Sequence, residues 1–113
     1  MNIQIFGTKK SFDTKKAQRY FKERRIKFQF IDLKEKEMSK GELQSVMRAV
    51  GGIDAVIDPD AKDQAAVALI TYLAESKKFD KLLENQQILR EPIVRNGAKA
   101  TVGYCPDTWK GWE

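Results

Sequence analysis

The order of elements predicts an α/β fold: a mixed four-stranded sheet with flanking helices, and a helical insert between a βαβ unit and a C-terminal β-hairpin. Three observations predict it. A strand–helix–strand pattern fills the first 33 residues, and a crossover of that length brings its two strands side by side in parallel. Helix signals with no strand between them follow over about residues 39–88. Two short β-rich segments then flank Asn96-Gly97, so the sheet also acquires antiparallel strands. At 113 residues the chain has material for one domain, spanning 1–113, with one core.

Each element has its own cause. Asn2 to Phe6 is short, contains Ile3, Ile5 and Phe6, and is closed by Gly7, which reads as the first strand. Ser11 and Asp13 are capping residues, and Ala17, Tyr20 and Phe21 recur at helical spacing, so a helix is expected over about Phe12–Arg25. Ile26 to Leu33 (IKFQFIDL) is rich in aromatic and β-branched residues, and its near-continuous hydrophobicity predicts a central strand covered on both faces. Ser39-Lys40-Gly41-Glu42 matches a capping box and starts a helix that runs to about Ala49, where Gly51-Gly52 stops it. Asp58-Pro59 supplies a turn or a new helix start, Lys62–Glu75 the next helix, and Lys78–Glu84 a shorter one before the loop Asn85-Gln86-Gln87. Pro92–Arg95 and Lys99–Val102 form the hairpin strands, with positive φ expected at both Asn96 and Gly97 in a type I′ turn. Asp107–Trp112 forms a last short helix, which Trp109 and Trp112 pack. One mixed sheet with helices on its faces satisfies this order, the arrangement of the thioredoxin-like class.

Composition narrows the chemistry. The apolar share is 42%, with six Phe, three Tyr and two Trp, which is enough to bury. There is no histidine, which removes Ser-His and Cys-His nucleophile activation, imidazole metal ligation and the usual proton shuttle. The single cysteine, Cys105, permits neither an intrachain disulfide nor a structural zinc site, so no metal is expected and a cytoplasmic setting is. The longest apolar run, Ala65–Ile70, has six residues against the roughly 20 that span a bilayer, and Met1-Asn2-Ile3 opens no signal peptide. No membrane association is expected.

Charge is concentrated at one end. Residues 1–27 carry nine Lys or Arg against Asp13 and Glu23, a net of +7, while the remaining residues carry twelve basic and fourteen acidic side chains, a net of −2. Such a patch attracts an anion, an acidic protein surface or nucleic acid, and equally describes a helix with a solvated Lys/Arg face. Direct DNA reading is disfavoured, since no helix with paired base-reading residues stands out. The place for a site is the loop Gly7–Thr14 between the first strand and first helix, where free amides at a helix N-terminus favour an anion. A cysteine there would have a stabilised thiolate, and this chain has Ser11.

GTKKSFDTKKAQRYF (7–21), a strand ending in IDL (31–33) and EPIVRNGAKATVGY (91–104), in that order, resemble the arsenate reductase-like family of the thioredoxin superfamily. Its members include glutaredoxin-coupled arsenate reductases (ArsC), YffB-type reductases and Spx transcriptional regulators. The resemblance covers essentially the whole chain, helical insert included. It implies a thiol-dependent oxidoreductase whose nucleophilic cysteine stands at the position of Ser11, attacking an oxidised substrate or forming a mixed disulfide with glutathione. Some members place a second cysteine where this chain has Thr14. No bound cofactor is implied, and glutathione, glutaredoxin or thioredoxin would be the reducing partner.

Two departures from the family pattern matter. Ser11 and Thr14 both lack sulfur, and a serine hydroxyl neither ionises near neutral pH nor forms a disulfide, so the chain as written should not perform thiol redox chemistry. Ser11 is either a replacement for the cysteine of a parent reductase or the natural residue of a relative kept for binding. At the hairpin the family has Arg-Pro, with the arginine on an oxyanion and the proline cis beside the nucleophile, whereas this chain reads Arg90-Glu91-Pro92. Pro92 carries over, and a cis bond is expected before it. Glu91 would repel arsenate, and only Arg90 or Arg95 remain to reach in, so a disulfide is at least as good a substrate. Lys9, Lys10 and Lys15 flank the site as anion-holding candidates or as plain surface lysines. Cys105 is either a resolving thiol or a small buried hydrophobe. The alternative function is an Spx-like regulator or non-catalytic binder contacting RNA polymerase through the basic first helix.

Overall fold

Ile3, Ile5 and Phe6 alternate across a strand, β1 (Ile3–Gly7), that is buried on both sides and takes the middle of the sheet. The computed structural model, which describes residues 1–113, continues with α1 (Phe12–Glu23) and β2 (Phe28–Asp32). The helical insert comprises α2 (Lys40–Val50), a 3₁₀ turn at Ile53–Ala55, α3 (Gln64–Tyr72), α4 (Glu75–Leu83) and a second 3₁₀ turn at Gln86–Ile88. The hairpin β3 (Ile93–Asn96) and β4 (Lys99–Val102) and the short α5 (Pro106–Lys110) complete the chain. No helix is long and apolar enough to cross a membrane.

The four strands are ordered β2-β1-β3-β4, with β1 parallel to β2 and antiparallel to β3, and β3 antiparallel to β4. This is the expected α/β, thioredoxin-like mixed sheet with helices on both faces. Side chains of Ile3, Ile5 and Val94 meet Ala17, Tyr20 and Phe21 of α1 and Trp109 of α5 on one face. On the other, Phe6, Ile31 and Ile93 meet Leu43 and Val46 of α2 and the apolar faces of α3 and α4. Trp109 is fully buried, and its Nε1 donates to Thr101 Oγ1 at 2.7 Å, so it serves packing.

Several expectations need correction. β2 is an edge strand, not a central one: Phe28 and Phe30 are half-buried toward α1 and Gln29 is exposed, because β1 already occupies the centre. The hairpin turn has positive φ at Gly97 only. Asn96 pairs with Lys99 inside the ladder, so Gly97 is the first central residue of a type II′-like turn rather than the second of a type I′ turn. α1 stops at Glu23, and Arg25 adopts a left-handed φ of 57°. α3 starts at Gln64, capped by the Asp63 side chain on Ala66 N, and ends at Tyr72. Leu73 and Ala74 are extended, so α4 begins at Glu75, three residues before the expected Lys78; neither glycine nor proline marks that break. α5 begins at Pro106 and ends at Lys110, not Trp112. The insert also holds one isolated bridge, Ile57 to Leu89. The capping box of α2 is fully formed, with Glu42 N donating to Ser39 Oγ at 3.2 Å and Ser39 N to Glu42 Oε1 at 2.9 Å.

Candidate active site

The C-terminal end of β1, the start of α1 and the entry to β3 converge, because β1 and β3 are paired neighbours with Phe6 opposite Ile93. The residue before Ile93 is Pro92, buried and joined to Glu91 by a cis peptide bond. Across from it, the loop after Gly7 turns into α1 with Ser11 as N-cap: Ser11 Oγ accepts from Thr14 N at 3.2 Å. A side-chain oxygen in that position satisfies one of the free amides of the first turn, and the same atom sits where the helix dipole favours negative charge.

Glu91 ties the two halves of the site together. Its Oε1 accepts from Thr8 N and from Thr14 Oγ1, the latter at 3.3 Å, and its Oε2 accepts from Thr8 Oγ1 at 3.2 Å. Thr14 therefore faces both ways, its amide toward Ser11 and its hydroxyl toward Glu91. The hydroxyl is thus spent on the carboxylate rather than on the atom at position 11. Gly7 permits this approach: a Cβ there would fall 2.7 Å from Thr14 Cγ2 and 3.1 Å from Glu91 Oε1.

The other sequence-predicted residues divide. Lys9, Lys10 and Lys15 are exposed around the loop, with Lys15 Nζ 5.7 Å from the ring centre of Phe12, itself 80% exposed beside Ser11. Arg90 turns to the helical insert, its Nε donating to Ile57 O at 3.1 Å. Arg95 is on the α2 side of the sheet, where Nη1 donates to Gln4 Oε1 at 2.8 Å and is 3.7 Å from Glu42 Oε2. Neither guanidinium is thereby among the groups that bracket Ser11, Thr14 and Glu91. Cys105 is a free thiol whose Sγ donates to Val102 O at 3.4 Å, and burial raises its pKa. A thiol pushed that way is protonated at neutral pH and a poor nucleophile. No group of three or more His, Cys, Asp or Glu side chains is placed to hold a metal ion.

Thr8 was not singled out by the sequence. The available signal was Gly7, a buried glycine ending a strand, which marks a close approach by another segment.

The fold that brings these segments together is shared with known proteins. Residues 58–112 match the model of the ArsC family. The ArsC match spans α3 to α5 and contains Pro92, while Ser11 lies before it. Solved structures extend the likeness over both parts. The YffB protein is 23% identical, with a TM-score of 0.78 over 96% of each chain. The arsenate reductase from Vibrio cholerae is 20% identical, with a TM-score of 0.80 over 96% of this chain and 94% of that one. An arsenate reductase (ArsC) related protein from Brucella melitensis is 18% identical, with a TM-score of 0.62 over 99% and 94%. At these identities the likeness is one of fold. No curated protein sequence matches the chain significantly.

Proposed function

We propose that this chain has the scaffold of a thiol-dependent oxidoreductase of the arsenate reductase-like type, coupled to glutathione or glutaredoxin, with the nucleophile's place held by Ser11. The observation that carries the reading is the position of Ser11 Oγ, capping α1 through Thr14 N in a loop bound by Glu91 to the cis-Pro92 segment. A sulfur in that place would receive an amide hydrogen bond and the field of the helix end, both of which favour a thiolate.

With cysteine at position 11, the thiolate attacks one sulfur of a disulfide substrate. The S–S bond breaks, the departing thiolate takes a proton, and a mixed disulfide remains on the protein. Glutathione or a glutaredoxin thiolate then attacks that mixed disulfide, and a further thiol completes its own disulfide, so two thiols supply the two electrons. Ser11 supports none of these steps, and the chain as it stands is inactive in them. Such thiol exchange suits a cytoplasmic, reducing setting.

The experiment is Ser11→Cys, assayed for glutathione- and glutaredoxin-dependent reduction of a small disulfide and of arsenate. Disulfide turnover in the variant with none in the Ser11 chain supports the reading. A thiol at position 11 with an ordinary pKa and no turnover on either substrate overturns it.

A second reading rests on a separate observation. None of the protein's three ion pairs uses a base of α1, and Lys16 and Arg24 are instead set against the rings of Tyr104 and Tyr20, at 5.4 and 3.7 Å. Unpaired, oriented cations suit an acidic protein partner, and an Spx-like, non-catalytic contact with RNA polymerase is the form the family resemblance gives it. Retention of polymerase by the immobilised chain, abolished by Lys16→Glu with Arg19→Glu, supports this; no retention at low salt removes it.

A further inference from the structure

Glu91 is the only carboxylate hydrogen-bonded within the loop that precedes α1, and it is held entirely by neutral donors: the Thr8 amide and the hydroxyls of Thr8 and Thr14. No lysine or arginine lies within ion-pair distance of it, although Lys9, Lys10 and Lys15 surround the same loop. A carboxylate accepting three hydrogen bonds is a strongly bound anion, and N–H and O–H donors of this kind equally bind an external oxyanion. Gly7 keeps the cradle open, since any Cβ there would push Thr14 and Glu91 out of place.

We propose that Glu91 is a specificity-determining residue that acts as a built-in anion: it occupies a three-donor cradle which would otherwise accept a small tetrahedral oxyanion, and so turns that cradle away from such oxyanions. The inference rests on the reading of this loop as the reactive site, and it deepens that reading by naming the class of ligand refused. A tetrahedral oxyanion such as arsenate or phosphate must displace Glu91 or sit beside its charge. The lysines around the loop draw anions in at long range, and the carboxylate excludes them at the centre. A neutral disulfide meets no such opposition.

The test is equilibrium binding to the Ser11 chain, so it needs no thiol and is separate from turnover by Ser11→Cys. Sodium arsenate and sodium phosphate are titrated into ¹⁵N-labelled native protein, Glu91→Gln and Glu91→Ala at neutral pH, and saturable shifts of the Thr8 amide are followed. The native protein is expected to show no saturable shift. Glu91→Ala should bind both anions at least about tenfold more tightly, because one charged acceptor has been taken off the donors. Glu91→Gln, which keeps an acceptor oxygen of nearly the same shape, should fall between them, and it carries the test if Glu91→Ala does not fold. Adding Thr14→Val to the variant that binds should abolish the gain. Native protein that saturates at Thr8 as tightly as the variants overturns the proposal. So does a folded Glu91 variant that gains nothing, or a gain that survives Thr14→Val.

Discussion

Gly7→Ala tests the architecture of the site most directly. Gly7 is the last residue of β1 and has no positive φ, so alanine suits its backbone and the effect is one of space. The added methyl would lie 2.7 Å from Thr14 Cγ2 and 3.1 Å from Glu91 Oε1. The glutamate can swing aside, but Thr14 is buried in the first turn of α1 and must rotate or drag the helix with it. Overpacking of this kind costs about 1–3 kcal/mol. Turning the Thr14 hydroxyl away from Glu91 loses a hydrogen bond to a charged acceptor, about 1.5–3 kcal/mol more. The reduced freedom of the unfolded chain returns about 0.4–1 kcal/mol. The net loss is about 2–5 kcal/mol, which at a urea slope of about 1–3 kcal/mol per molar is readily resolved in an equilibrium unfolding curve. Thr14→Ala removes Oγ1 and Cγ2, the two threonine atoms nearest the new Cβ, and leaves only the Glu91 carboxylate, which can swing aside, so Gly7→Ala made in that background should cost no more than about 1 kcal/mol, a coupling well outside additive error. Equal losses in the two backgrounds, or a Gly7→Ala variant within about 0.5 kcal/mol of the native protein, would refute the packing argument.

Three other outcomes are expected. In Ser11→Cys, iodoacetamide should label position 11 with an apparent pKa below the free-cysteine value of about 8.5, while Cys105, held up by burial, reacts only at higher pH; peptide mass spectrometry separates the two. Gln86→Leu should lose about 2–5 kcal/mol in urea unfolding, because the buried amide accepts from Met38 N at 2.7 Å and donates to Met38 O at 2.8 Å, leaving both backbone groups without partners. Asp63 accepts from Gln87 Nε2 at 2.9 Å and from Ala66 N at 3.0 Å, which lowers its pKa in the folded state. Its contribution is therefore present above the unfolded value of about 3.9 and is lost as pH falls through the lower folded value, so Asp63→Asn should be less acid-sensitive than the native protein across that window.

The strand and helix signals that were legible are those with local causes. The Ser39 capping box, the Gly51 stop and the Asn96-Gly97 turn region each depend on residues a few positions apart, the βαβ unit on three consecutive segments, and each is present. What could not be read is what depends on distant partners. IKFQFIDL has the composition of a central strand, yet its position at the edge is decided by β3 pairing with the other side of β1. Leu73 and Ala74 break the α3–α4 run with no breaker residue, and Gln86 looks like loop until Met38, 48 residues away, is seen against it. At the site, Ser11, Thr14 and Pro92 were legible from capping logic and resemblance. Arg90 and Arg95 were attractive only for their charge, and the insert and α2 claim them. Thr8 was invisible because its role is to donate to a residue 83 positions later.

Ser11 and Glu91, where the chain differs from the pattern of the family it resembles, meet at a single residue. Thr14 gives its amide to one and its hydroxyl to the other, so the charge state at position 11 and the carboxylate of Glu91 are felt by the same turn of helix. A thiolate at position 11 would place a second negative charge on the same turn of helix as the Glu91 carboxylate, raising the thiolate's free energy and opposing the effect of the helix end. A neutral serine hydroxyl caps the helix equally well and carries no charge to be opposed. Glu91 is therefore better tolerated beside Ser11 than beside a cysteine, and neither departure is independent of the other. In a Ser11→Cys background, Glu91→Gln should lower the thiol pKa further, and the size of that drop measures how strongly the two positions are coupled.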